Sequence, residues 1–295
     1  AEDLDRMLSG VHLEMVHLAF DADAQAPAVG EQVRDLVQRR GLKPGEIHAA
    51  LDYDPLGMAI AEHRIPRDLD AAWRELSPIG EVYAFVCDIS DREKVYGLAQ
   101  RVRDEFGDID IRVNNAGVVK SDPFLEKPDE VIERTVAVNL LAHFWTMKAF
   151  LPAMVAKKEG HVVNMASAGG LLGVPYISDY CATKFAVIGL TESLRQEFKL
   201  RGLRRVRFTY VCPNTVGTGM FAGARPVKGT KLLDADEVTR SIVQGIKRNR
   251  SFIGVPFSVY LVPLTKALTP IPVLDLFNRV MGIATSSETT TGRPE

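Results

Sequence analysis

From about residue 92 to residue 212 the chain alternates helix-like segments with short strand-like runs, and this alternation restricts the fold more than any other feature. Val95, Leu98, Val102 and Phe106 recur at helical spacing. Asp110-Ile111-Arg112-Val113 leads into the polar turn Asn114-Asn115-Ala116-Gly117, and a long helical pattern runs from about Pro128 to Lys158. Gly160 punctuates it before the strand candidate His161–Met165; a helix over about Asp179–Leu200 and a β-rich run Val206–Cys212 follow. Upstream, Val82–Cys87 is a short apolar run ending at Asp88. Met15–Phe20, Val29–Arg40 and Glu46–Asp52 suggest a further strand, helix and strand. Strands alternating with helices of this length imply an α/β fold with a mostly parallel sheet covered on both sides. No repeat or linker divides it, so one domain over residues 1–285 with a polar tail at 286–295 is expected. Arg112 is a mismatch in a central strand, explained if its stem packs apolar and its head reaches water.

Hydrophobic residues at 46% and charged residues at 25% are the balance of an ordinary globular chain, which excludes wholesale disorder. With 36 Lys+Arg against 38 Asp+Glu, the chain lacks the basic excess of a nucleic-acid binder. Cys87, Cys181 and Cys212 lie far apart and read as reduced interior residues. No His-rich or His-Cys cluster has metal-ligand spacing. The acidic start, Ala1 to Asp5, is unlike a secretory signal, and no apolar run reaches about 18 residues, so a membrane span is not expected.

Four polar residues stand out: Asn139, Ser167, Tyr180 and Lys184. Tyr180 and Lys184 are four apart, so a helix sets them on one face, one turn from each other. A phenol with a reference pKa near 10 is a poor base, but a neighbouring ammonium favours the phenolate. Ser167, just after a strand, is placed to hold a carbonyl or alcohol oxygen while Tyr180 passes its proton. Asn139, inside the long helical stretch, fits a bent backbone or an ordered water. Taken singly each has a plain structural account: a Tyr–Lys pair at this spacing is common, and Ser167 can be a cap. Their placement after successive strands, at the carboxyl edge of a sheet, favours chemistry.

Three segments add a resemblance: Asn114-Asn115-Ala116-Gly117, Ser167 followed by Tyr180-Cys181-Ala182-Thr183-Lys184, and Pro213-Asn214-Thr215-Val216-Gly217-Thr218. From Val82 to Met220 the chain resembles the short-chain dehydrogenase/reductase family, and most of all its retinol and 17-beta-hydroxysteroid branch. The resemblance implies a doubly wound, Rossmann-like three-layer sandwich and an Asn139, Ser167, Tyr180, Lys184 catalytic group. It implies that Lys184 holds the nicotinamide ribose and lowers the Tyr180 pKa. Asp88 would lie near the adenine, with Asn115, Ala116, Gly117, Pro213, Val216 and Thr218 lining the cofactor. Asn214 stands where the family commonly has glycine.

The family's glycine-rich opening turn falls on Asp23-Ala24-Gln25-Ala26-Pro27-Ala28-Val29-Gly30, where only Gly30 survives. Glycines there let the backbone approach a pyrophosphate, so this departure makes anion approach harder. Asp52, 22 positions beyond Gly30, matches the carboxylate that binds the adenosine ribose and disfavours the extra phosphate of NADP. NAD is therefore expected ahead of NADP.

The preferred reading is a reversible NAD-dependent oxidation of an apolar alcohol (a retinoid, steroid or other lipid). The rival is a noncatalytic binding or assembly protein on the same scaffold, motivated by the altered turn. Met220-Phe221-Ala222 lies where the family has a substrate cover. The apolar, proline-split stretch around 252–283 reads as a short interfacial or substrate-side segment, with a buried core or a subunit contact as equal alternatives. The hydrophobic N-terminal anchor usual in that branch does not occur in this sequence, which fits either its removal or a cytosolic, bacterial-like member; a cytoplasmic or peripherally membrane-associated chain is expected. The resemblance further implies a homodimer or homotetramer through the helices around Val131–Met154 and Tyr180–Leu200.

Overall fold

In the computed structural model, which describes residues 17–21, 48–52, 85–217, 219–221, 223, 227, 232–288 and 290, helix α1 (Arg92–Phe106) starts on Asp91. The Asp91 carboxylate accepts from the backbone N–H of Glu93 and Lys94, and Gly107 closes the helix at φ 85°. The long helical pattern resolves into α2 (Asp129–Val136), a π-helical turn (Ala137–Leu141) and α3 (Ala142–Lys157). The remaining long helices are α4 (Ser178–Leu200) and α5 (Ala235–Lys247).

Strands β1 (His17–Asp21) and β2 (His48–Asp52) pair in parallel and belong to one compact unit. Residues 88–107 and 113–293 form a second unit. A second sheet has the order β3-β4-β5-β6, with β3 at Ile111–Asn114, β4 at Gly160–Met165, β5 at Val206–Pro213 and β6 at Phe252–Val255. The β4–β5 and β5–β6 pairs are parallel, with Met165 opposite Val211 and Cys212 opposite Gly254. Every residue of β4 except Met165 is buried, as expected of a strand covered on both faces. Val163, Val211, Leu233, Val238, Ile253 and Val255 form the core between this sheet and α5. Gly245 of α5 leaves the space that Ile253 fills. This is a Rossmann-like α/β architecture with helices flanking a parallel sheet.

Residues 85–87 of the apolar run before Asp88 are irregular, and the run's earlier residues lie outside the described set. The 252–283 stretch holds the edge strand β6, then α6 (Val262–Leu268) and α7 (Ile271–Met281). Pro263 and Pro272 fall in the first turns of α6 and α7, where a missing N–H costs no helical hydrogen bond, while Pro256 and Pro270 stand just before the 3-10 turn Phe257–Leu261 and α7. The helix expected at Val29–Arg40 lies outside the described residues.

Candidate active site

Ser167 leaves β4 in extended conformation and caps a 3-10 turn, Ala168–Gly170, accepting at Oγ from the Gly169 N–H at 3.1 Å. The turn can press against α4 because Gly170 has no side chain. A Cβ there would lie 2.7 Å from the backbone oxygen of Lys184. Tyr180 and Lys184 occupy the first two turns of α4, only 4% and 3% exposed. Lys184 Nζ sits 5.5 Å from the Tyr180 ring centroid and donates to Met165 O, at the end of β4, at 2.7 Å.

Burial governs the proton affinities here. It raises the Tyr180 phenol above its usual value of 10, against the pull of a hydrogen bond shared with Ser167. It pushes Lys184 down to about 8, opposed by the neighbouring Cys212 thiol. Cys212 itself is pushed up to about 12 by burial, with the Ser167 backbone and Lys184 acting the other way. The resemblance implies a phenol lowered by the ammonium. In the chain by itself, removal from water outweighs any such effect.

Asn139 is fully buried in the π-helical turn and clasps Val118 from both sides. Its Oδ1 accepts from Val118 N at 2.7 Å and its Nδ2 donates to Val118 O at 2.8 Å. A π-turn widens a helix locally and is frequent at functional sites. Beside it, a Cβ on Gly117 would stand 3.3 Å from Asn139 Oδ1 and 3.5 Å from Lys184 Nζ. Asn139, Ser167, Tyr180, Lys184 and Gly117 thus gather in one place at the carboxyl end of β4.

The other expected residues are distributed more widely. Asn115 and Ala116 continue from β3; Pro213 closes β5, and Val216 bridges to Leu233. Asn214 Oδ1 accepts from Thr215 N at 2.9 Å. Asp88 lies in the turn before α1, its carboxylate held low by hydrogen bonds from the Ser90 side chain and backbone. Asp52 is the last residue of β2, in register with Asp21, and its side chain is outside the described residues, as are Gly30 and Thr218.

Sequence reasoning gave no role to the buried polar ladder behind the site. Thr146 Oγ1 donates to Asn114 Oδ1 at 2.8 Å, Asn114 Nδ2 to Asn164 Oδ1 at 2.8 Å, and Asn164 Nδ2 to Thr191 Oγ1 at 2.9 Å. It ties β3, β4, α3 and α4 together at fixed register. The only hint in sequence was polar Asn164 within an apolar strand. Among the described residues no group of His, Cys, Asp or Glu is arranged to hold a metal ion.

Residues 54–228 match the short chain dehydrogenase family. The chain belongs to this family. Retinol dehydrogenase 10 of Xenopus tropicalis is 40% identical over 228 residues, 75% of this chain and 67% of that protein. The chain spans 60–67% of the length of the Xenopus retinol dehydrogenase 10 relatives it matches. Within the short chain dehydrogenases it falls in the retinol dehydrogenase branch. A short chain dehydrogenase/reductase from Burkholderia phymatum in complex with NAD superposes with a TM-score of 0.64 at 23% identity, over 86% of this chain and 94% of that one. One from Sphingobium yanoikuyae in complex with NADPH gives 0.63 at 22% identity, over 90% and 94%. These two likenesses establish the fold. The family is one of oxidoreductases.

Proposed function

We propose that the chain is an NAD-dependent dehydrogenase that interconverts an apolar alcohol, of the retinoid, steroid or lipid-like class, and its carbonyl. The observation that carries this reading is the gathering of Ser167, Tyr180 and Lys184 in one buried space at the carboxyl end of β4. Gly117 supports a dinucleotide there, because its bare backbone faces the Lys184 ammonium. Of the three Lys184 protons, one is used on Met165 O, leaving donors suited to ribose hydroxyls. When bound, the dinucleotide supplies the hydride acceptor for oxidation and the hydride donor for reduction.

Ser167 Oγ holds the substrate oxygen, and Tyr180 Oη takes its proton in oxidation or returns one in reduction. Lys184 holds the ribose and favours the phenolate, while Asn139 keeps Val118 and the adjoining backbone in place. Asp52 supports NAD over NADP by the ribose argument, with Gly30, Asp88, Asn115, Ala116, Pro213, Val216 and Thr218 assigned to the cofactor. Phe221, edge-on to Tyr180 at 5.8 Å, and Met220 supply apolar cover.

Residues 1–285 are proposed as one catalytic domain that assembles as a homodimer or homotetramer. Leu141, Phe144 and Phe185, exposed on the π-turn, α3 and α4, support such an interface. The exposed apolar side chains of α6 and α7 support a peripheral lipid contact. No helix among the described residues is long and apolar enough to cross a membrane. The reading is tested by paired NADH and NADPH fluorescence titrations, followed by assays with all-trans-retinol, hydroxysteroids and simple secondary alcohols. Saturable binding that favours NADH, with oxidation of an apolar alcohol, is expected. A folded chain that binds neither nucleotide defeats it.

A further inference from the structure

Beside the reacting groups lies a buried ion pair that the mechanism above leaves unused. Lys127, in the loop before α2, and Asp179, beside Tyr180 in the first turn of α4, meet at 2.5 Å, with side chains 0% and 3% exposed. The same ammonium donates to Lys120 O at 2.9 Å and Tyr176 O at 3.2 Å. Among the described residues Asp179 Oδ2 has no hydrogen-bond partner, so the carboxylate depends on Lys127.

These contacts converge on four consecutive residues. Gly117 abuts Asn139 and Lys184; Val118 is clasped by Asn139; Val119 packs in one buried cluster with Ile177, Tyr180 and Cys181; and Lys120 offers its carbonyl to Lys127. Tyr176, whose carbonyl also accepts from the Asp122 N–H at 3.1 Å, turns with φ 70° immediately before α4. The Lys127 ammonium therefore ties the wall on which Tyr180 packs to the helix turn that carries Tyr180. A buried ion pair is a poor source of net stability, since apolar residues of similar volume often serve as well. Its position here is explained by geometry.

We infer that Lys127 and Asp179 are positioning residues for Tyr180, holding the 117–120 segment and the start of α4 in register. The inference rests on Tyr180 acting as the proton carrier of the proposed dehydrogenase. Two variants of the full chain test it: Lys127→Met, and the double variant Lys127→Met with Asp179→Leu. Hydrogen exchange in Lys127→Met should quicken in residues 118–127 and 176–181 while α3 and β4 keep their protection. Its kcat for all-trans-retinol with NAD should fall roughly tenfold to a hundredfold, the scale of a misplaced reacting group. Its retinol KM and NADH affinity should stay within about twofold, because ground-state binding is untouched. Removing the stranded carboxylate in the double variant should restore Tm without restoring kcat. Unchanged exchange in both segments of Lys127→Met, or a double variant that recovers kcat along with Tm, overturns the inference. A wild-type chain that binds no NADH counts against the dehydrogenase reading alone, because the exchange comparison still decides whether the pair fixes these segments.

Discussion

Tyr180 and Lys184 lie one turn apart on α4, both buried away from water. Burial lifts the phenol and lowers the ammonium to about 8, so the pair releases its first proton near the lower of these. In the proposed dehydrogenase, the pair that has lost this proton is the form that accepts one from the alcohol. Accordingly, kcat/KM for alcohol oxidation should rise with pH through about 8 and that for carbonyl reduction should fall over the same window. A pH–rate series flat across that window would contradict the assignment. The same ionisation bears on stability. The folded chain carries the full cost of a buried ammonium below about 8, and that cost is relieved as pH rises towards the ordinary value of 10.5, where the unfolded chain still holds its proton. The convergence of Asn139, Ser167, Tyr180 and Lys184 was legible because Tyr and Lys share a helical period and Ser167 follows a strand. The partnership of Lys127 with Asp179 was not. The two lie 52 positions apart, and neither belongs to a local pattern that announces a partner.

At the scale of single elements, β4 shows what burial on both faces demands. His161 lies within it, 6% exposed, with Nε2 2.8 Å from Thr209 Oγ1. Thr209 in turn donates to Arg250 O at 2.7 Å, which leaves its hydroxyl oxygen to accept from the imidazole. Burial, with a smaller effect from Arg207, pushes His161 down to about 4 from 6.5. As pH falls below 6.5 the unfolded chain gains a proton that the folded chain refuses, so stability declines until about pH 4. Integrated over that window the loss is about 3 kcal/mol. Denaturant melts between pH 7 and 4 should show this decline, and His161→Gln should flatten it; a His161→Gln variant with an unaltered slope would show that other groups are responsible. α1 and α4 are legible from apolar spacing, and β4 and β5 from short β-rich runs bounded by turns. Periodicity could not separate β6, a four-residue strand inside a long apolar run, from the helices after it. There Pro263 and Pro272 looked like interruptions, although both occupy helix first turns. Nor could it locate the π-turn, where Asn139 takes its hydrogen bonds from the Val118 backbone.

For the molecule as a whole, the family match and the site geometry agree on an oxidoreductase scaffold, while the outer face of residues 257–280 stands apart from the chemistry. No residue of α6 or α7 is buried, and Leu264, Leu268, Ile271, Leu276 and Phe277 are exposed. Lys266 and Arg279 flank them against one acidic residue, Asp275. If this face meets lipid, the protein should co-sediment with vesicles containing phosphatidylserine, and Leu268→Glu with Leu276→Glu should release it at unchanged NADH affinity. Equal recovery of both proteins with the vesicles would argue against that contact. The opening turn around Gly30 is the part of the sequence least like its family, with Ala24 and Ala28 at two of its glycine positions. The central claim is that Tyr180 carries the substrate proton beside a bound nicotinamide. It is tested most directly by the turnover of Tyr180→Phe against the wild type, each at matched NADH occupancy measured by fluorescence. A loss of about 10²–10⁴-fold in turnover with NADH binding retained is expected, and a variant turning over near the wild-type rate would refute this role for Tyr180.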